Sequence, residues 1–191
     1  MSAKAAMHNP IEELRSLIVS RCIEIKKSGF TLASGRTSSL YIDLRRITQD
    51  PRGISLIGQL VLDKIEQDAN DAQFVGGLET GSIPIATAVS LLSSMRAKQL
   101  SAFWVRKRAK DHGLQNRIEG NLEPSSKVVI VDDTVTTGGS SLQAADAVRE
   151  FGAKVVLAIA IVDRGAKKNF EKANIPYYAF FSEKDLVAES C

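Results

Sequence analysis

Cysteine and histidine are nearly missing from this chain. Of its 191 residues, two are cysteine (Cys22, Cys191) and two are histidine (His8, His112). The cysteines lie far apart and form no CxxC, which excludes a disulfide framework and a His/Cys zinc site and leaves free thiols in a reducing compartment. Long apolar runs are lacking too. The longest, Val155 to Val162, is less than half of a membrane span, so no membrane partner is expected. Met1-Ser2-Ala3-Lys4 leads into no apolar secretion segment, and the expected location is the cytoplasm. Neither sign of charge dominates. Lys and Arg number 25 against 22 Asp and Glu, a net +3 without a long basic block, which argues against nucleic acid as a partner. Repeats, low-complexity tracts and linkers are absent, and a length of 191 suits one domain.

What is present alternates between two periodicities. Ile11, Leu14, Leu17, Ile18 and Ile25 fall mostly at helical spacing and predict a helix ending near Ser28-Gly29. From Thr31 to Asp43 the residues read as a turn and short strands. Asp50-Pro51 announces a second helix carrying Ile54, Ile57, Val61 and Ile65. Short strands follow at Gln73 to Gly76, Ser101 to Val105, Lys127 to Val131 and Val155 to Val162. Helical patterns lie between them, one with Pro84 near its start and Ile85, Val89, Leu92 and Met95 on it, another closed by Gly152. Strands alternating with amphipathic helices predict an α/β fold with a central parallel sheet flanked by helices. Lys107 to Ser126 fits neither period, and a polar connection of that length is usually functional.

One segment stands out chemically. Val128 to Val131 is apolar, Asp132-Asp133 follows, and Thr134-Val135-Thr136-Thr137-Gly138-Gly139-Ser140 opens a helix. A helix N-terminus offers unpaired N–H groups and partial positive charge to a phosphate, and the glycines let backbone amides approach it. Carboxylates repel phosphate, so Asp132 and Asp133 fit sugar hydroxyls or the shell of a Mg²⁺ ion instead. Phosphate and carboxylate chemistry side by side points to a phosphorylated sugar. Gly76 to Ser82 has the glycine spacing of a P-loop but no lysine to reach the phosphates, and neither GxGxxG nor GxSxG occurs.

The segment Val131 to Ser140 resembles the phosphoribosyl diphosphate (PRPP) signature of type I phosphoribosyltransferases. A second string, Arg106-Lys107-Arg108-Ala109-Lys110-Asp111-His112-Gly113, resembles the catalytic loop of the orotate-specific branch. Phe30 to Arg36 with Tyr41-Ile42-Asp43 resembles that branch's N-terminal hood, Gly77 to Pro84 its diphosphate loop, and Val162-Asp163-Arg164 the strand end that carries an orotate-binding Arg. The resemblance implies one phosphoribosyltransferase domain over residues 1–191, its hood formed by about 10–45. It further implies transfer of the phosphoribosyl group from PRPP to orotate with Mg²⁺, and no metal site made by the protein alone. In roles, Asp132 and Asp133 take the ribose hydroxyls, and Thr134, Val135, Thr136, Thr137, Gly138, Gly139 and Ser140 take the 5′-phosphate. Arg106, Lys107, Lys110 and His112 clamp the diphosphate, with Lys110, His112 and Asp133 closest to the chemistry. Thr136 and Arg164 hold orotate. A homodimer is implied, the flap Lys107 to Ile118 serving the partner's site.

The chain departs from enteric members at Ala33 and Gly81, where those carry lysines that touch PRPP. Two rival expectations share the PRPP loop. A purine-base phosphoribosyltransferase would need neither the flap string nor Arg164. A PRPP- or base-sensing regulator would add a helix-turn-helix module, for which the roughly ten residues before the first helix leave no room, or would lose the flap string, which is present.

Overall fold

The computed structural model describes residues 9–31, 37–108 and 117–187. The chain runs α1 (Pro10–Arg21), β1 (Ile23–Thr31), β2 (Thr37–Ile42), α2 (Arg45–Thr48), α3 (Pro51–Asp68), β3 (Phe74–Leu78), α4 (Ser82–Ser93) and β4 (Ser101–Val105). It continues through β5 (Ile118–Gly120), β6 (Lys127–Val135), α5 (Gly139–Glu150), β7 (Lys154–Asp163), α6 (Lys167–Lys172), β8 (Tyr177–Ser182) and α7 (Glu183–Val187).

Six strands form the central sheet in the order β5-β4-β3-β6-β7-β8, parallel except for β5, which runs antiparallel on the edge beside β4. The alternation along β6 explains the layers. Val129 and Val131 join the core under α1, α3 and α4, with Leu14, Ile57, Val61, Ile85 and Val89. Val128 and Ile130 join the opposite core under α5 and α6, with Ala144, Val148 and Phe170. A strand buried on both faces needs an unbroken apolar run, which is why Lys127 to Val131 carries one. β1 and β2 pair antiparallel as a separate two-stranded sheet.

Three sequence expectations are corrected. The first helix ends at Arg21, not near Ser28-Gly29. Beyond the buried Cys22, Ile23 and Ile25 pair with Ile42 and Leu40 of β2, so strand pairing overrides the helical spacing, and Ile25 is exposed. Met95 lies beyond the end of α4 and is exposed. Strand β6 continues past the carboxylates to Val135, because Thr134 and Val135 still pair with Val162 and Asp163 of β7. The start signal at Asp50 holds. Its carboxylate accepts from the N–H groups of Arg52 (3.0 Å) and Gly53 (2.9 Å), a cap worth about 1 kcal/mol. Ile118 to Gly120, inside the stretch that fitted neither period, is the edge strand β5.

Candidate active site

The C-terminal end of β6 carries Asp132 and Asp133, and the turn into α5 begins directly after it. Asp132 Oδ2 accepts from Ser141 Oγ at 2.8 Å, and its Oδ1 accepts from the Asp133 N–H at 3.1 Å. Asp133 Oδ1 accepts from the Thr134 N–H at 2.6 Å. Burial raises both carboxyl groups above the usual carboxylate range, and the neighbouring Asp133 charge adds to the shift at Asp132, which is pushed up to about 7. The Thr134 hydroxyl oxygen is buried and has no hydrogen-bond partner among the described residues. Gly138 caps α5 with φ of 82°, a left-handed conformation, and a Cβ there would lie 3.2 Å from the Phe170 ring. Both requirements select glycine. The loop is also held from below, where Asn169 Nδ2 donates to the Thr137 carbonyl at 2.8 Å.

Two adjoining cavities share this segment. The smaller, about 280 Å³, is lined by Asp132, Thr134 to Gly139, Ser140 and Ser141. The larger, about 500 Å³, adds Asp133 to Asp132, Thr134 and Ser140, and is walled by Arg45, Thr48, Gln49, Leu78 to Gly81 and Lys107. An anion at the α5 N-terminus and a hydroxyl-rich group over the carboxylates can therefore be parts of one ligand. Gly81 comes so close to the carboxylates that a Cβ built on it would lie 2.9 Å from Asp133 Oδ1 and 3.2 Å from Asp132 Oδ1.

The structure thus gathers Lys107 and the whole of Asp132 to Ser140 around two cavities that share Asp132, Thr134 and Ser140. It does not bring Arg106 or Arg164 to that lining. Arg106 contacts Glu119 of the edge strand at 3.4 Å. Arg164, at the end of β7, donates from Nε to Glu183 Oε2 and lines a third cavity with Asp163, Gly165, Ser182 and Lys184. Lys110, His112 and Ala33 lie outside the described residues.

Residues 43–182 match the family model described as "Phosphoribosyl transferase domain". The orotate phosphoribosyltransferase of Aquifex aeolicus is 40% identical over 179 residues, covering 92% of this chain and 97% of that protein. The chain belongs to the orotate phosphoribosyltransferase family. It is an enzyme of the glycosyltransferase type that serves pyrimidine biosynthesis. A family structure from Mycobacterium tuberculosis H37Rv, solved with Fe(III) dicitrate, superimposes with a TM-score of 0.80 at 37% identity, covering 93% of this chain and 99% of that one. Another from the same organism, solved with PRPP, gives 0.76 at 34% identity with the same coverage. An adenine phosphoribosyltransferase from Leishmania tarentolae gives 0.64 at only 14% identity, covering 94% of this chain and 91% of that one, a likeness of fold alone. The relatives at 37–40% identity are orotate phosphoribosyltransferases, which favours the orotate branch over both rivals.

Within the family frame, sequence reasoning missed Arg45, Thr48 and Gln49. They stand on the cavity wall at and just after α2, a single short turn. Their only local signal is Asp43, whose carboxylate takes the Arg45 backbone N–H at 3.1 Å and starts that turn.

Proposed function

We propose that the two adjoining cavities are where this enzyme moves the 5-phosphoribosyl group of PRPP to orotate, giving orotidine 5′-phosphate and diphosphate. The carrying observation is that one stretch of chain places an adjacent carboxylate pair beside an amide-lined glycine loop. The loop from Thr134 to Ser140 takes the 5′-phosphate, and Asp132 and Asp133 accept from the ribose hydroxyls. The relative solved with PRPP supports that donor. Departure of diphosphate leaves positive character on the sugar, which Asp133 steadies from below. Lys107 with Lys110 and His112 neutralises the leaving group. Orotate is assigned to Thr136, on the smaller cavity, and to Arg164, whose side chain must leave its separate cavity at the end of β7 to reach it.

Mg²⁺ fits the donor set. Hard oxygen ligands suit it, and it is commonly held by one or two carboxylates together with substrate phosphates and water. The ion would be held mainly by PRPP oxygens and water, with Asp132 and Asp133 as the nearest protein carboxylates, and a nearby cation would reverse their upward-shifted titration. Bound there, the ion would supply charge neutralisation for diphosphate. We further read residues 1–191 as one domain with a hood of about 10–45, working in the cytoplasm as a homodimer with shared flaps. In the described residues, no helix is long and apolar enough to cross a membrane. The test is direct. Purified protein with PRPP, Mg²⁺ and orotate should deplete orotate absorbance and release diphosphate, whereas adenine or hypoxanthine in place of orotate should give no nucleotide. Turnover of a purine base at a comparable rate would overturn the assignment.

A further inference from the structure

Arg45 belongs to none of the motifs that mark the site in the sequence. It opens α2, between the two-stranded sheet and α3 in the chain, yet it lines the 500 Å³ cavity together with Glu79 to Gly81 and Lys107. Its guanidinium is braced on one edge. Nε donates to Asp43 Oδ1 at 2.7 Å, Nη2 donates to Asp43 Oδ2 at 2.9 Å, and Nη2 is 3.4 Å from the Tyr41 hydroxyl. A fork held by a carboxylate in two-point contact keeps its direction at low entropic cost. Nη1 is not used in these bonds.

The charge around the cavity is uneven. Glu79, Asp132 and Asp133 contribute three carboxylates, whereas among the described residues only Arg45 and Lys107 contribute cations. Arg45 is near enough to Asp133 to feel its charge, though the two share no hydrogen bond. An anionic group in this cavity that lies out of reach of the α5 amides therefore has Arg45 and Lys107 as its lining cations.

We propose that Arg45 is a binding residue for the diphosphate end of the donor, reaching it from the hood side, and that Asp43 is its positioning partner. The proposal rests on the functional reading above and adds to it a residue and a subsite. Orotate is also an anion, so the test separates the two ligands.

Titration calorimetry with inorganic diphosphate plus Mg²⁺, and separately with orotate, is run on the wild type, Arg45→Ala, Arg45→Lys and Asp43→Asn. Steady-state kinetics accompany it. Loss of a charge-assisted contact predicts diphosphate binding weaker by about tenfold in Arg45→Ala, with a matching rise in KM for PRPP. KM for orotate should change less than about twofold. Arg45→Lys should recover part of the loss, and Asp43→Asn should lose about threefold through a looser fork. Melting temperatures within about 2 °C of wild type would confirm that the exposed Arg45 is not holding the fold. Unchanged diphosphate affinity in Arg45→Ala overturns the proposal, as does a loss confined to orotate. A wild type that turns over neither substrate overturns the functional reading instead.

Discussion

The backbone N–H of Lys107 donates to Glu79 Oε1 at 2.8 Å, and the N–H of Glu79 donates to the Val105 carbonyl at 2.9 Å. The loop after β3 is thereby tied to the root of the cationic segment after β4. Each wall of the cavity sets the position of the other.

Glu79 should consequently act through acceptor geometry more than through charge. Glu79→Ala is expected to lower kcat/KM for PRPP by about tenfold, while Glu79→Gln, which keeps an acceptor oxygen, stays within about threefold. Steady-state kinetics on the two variants decide it. A glutamine variant as poor as the alanine variant would show that the charge is what counts.

Gly81 has no room for a side chain. A methyl group there would press on Asp133 Oδ1, which the Thr134 N–H already holds, so Asp133 must swing away from its place. Gly81→Ala should raise KM for PRPP several-fold and cost about 1 kcal/mol of stability. Thermal melting and PRPP saturation curves check both parts, and a variant indistinguishable from wild type contradicts the close approach.

Asp132 predicts an opposition between stability and function. Its carboxyl titrates near 7 in the folded chain against an ordinary value of 3.8. Because the folded value is raised, stability falls as pH rises from about 4 to 7, and the penalty is fully present above 7. Asp132→Asn should therefore melt about 2–4 °C higher than wild type at pH 8, a gain of about 1 kcal/mol that vanishes near pH 4. It should lose activity at every pH. In the wild type, KM for PRPP should climb as pH drops below about 7, where the carboxylate is protonated. A melting difference independent of pH would contradict this origin.

Arg164→Lys should weaken orotate by about tenfold and leave PRPP within about twofold, since a bidentate fork is lost while positive charge remains. Glu183 pairs with Arg164 Nε, so Glu183→Gln should reproduce a smaller part of the same effect. Equal weakening of PRPP, measured by calorimetry, would make Arg164 a residue of the scaffold.

Subunit exchange tests the shared flap. Lys110→Ala and Asp133→Ala are each expected to be inactive. If flaps cross a two-fold dimer, mixed dimers regain one intact site, so random exchange restores roughly one quarter of all sites. Activity that stays at the level of the separate variants, after mass spectrometry has verified exchange, refutes the arrangement.

The donor half of the site was legible because its chemistry is local. A strand, two carboxylates and a glycine turn into a helix occupy consecutive positions from Val128 to Ser140, and the turn requires Gly138 at φ of 82°. The layered sheet was legible for the same reason, since burial on both faces writes itself as the apolar runs of β6 and β7. Arg45 was not legible. Two adjacent arginines after Tyr41-Ile42-Asp43-Leu44 read as surface charge, and only the tertiary path of α2 sets one of them over the cavity. The end of α1 was misread because Ile25 sits at helical spacing, while its pairing with Leu40 depends on a strand fifteen residues away.

The hydrogen bond from Asn169 to the Thr137 carbonyl, with the Phe170 ring beneath Gly138, fastens the phosphate loop to α6. α6 begins three residues after Arg164. The turn that carries Arg164 and the loop that carries the amides are thus braced by the same short helix, at a point away from the carboxylates.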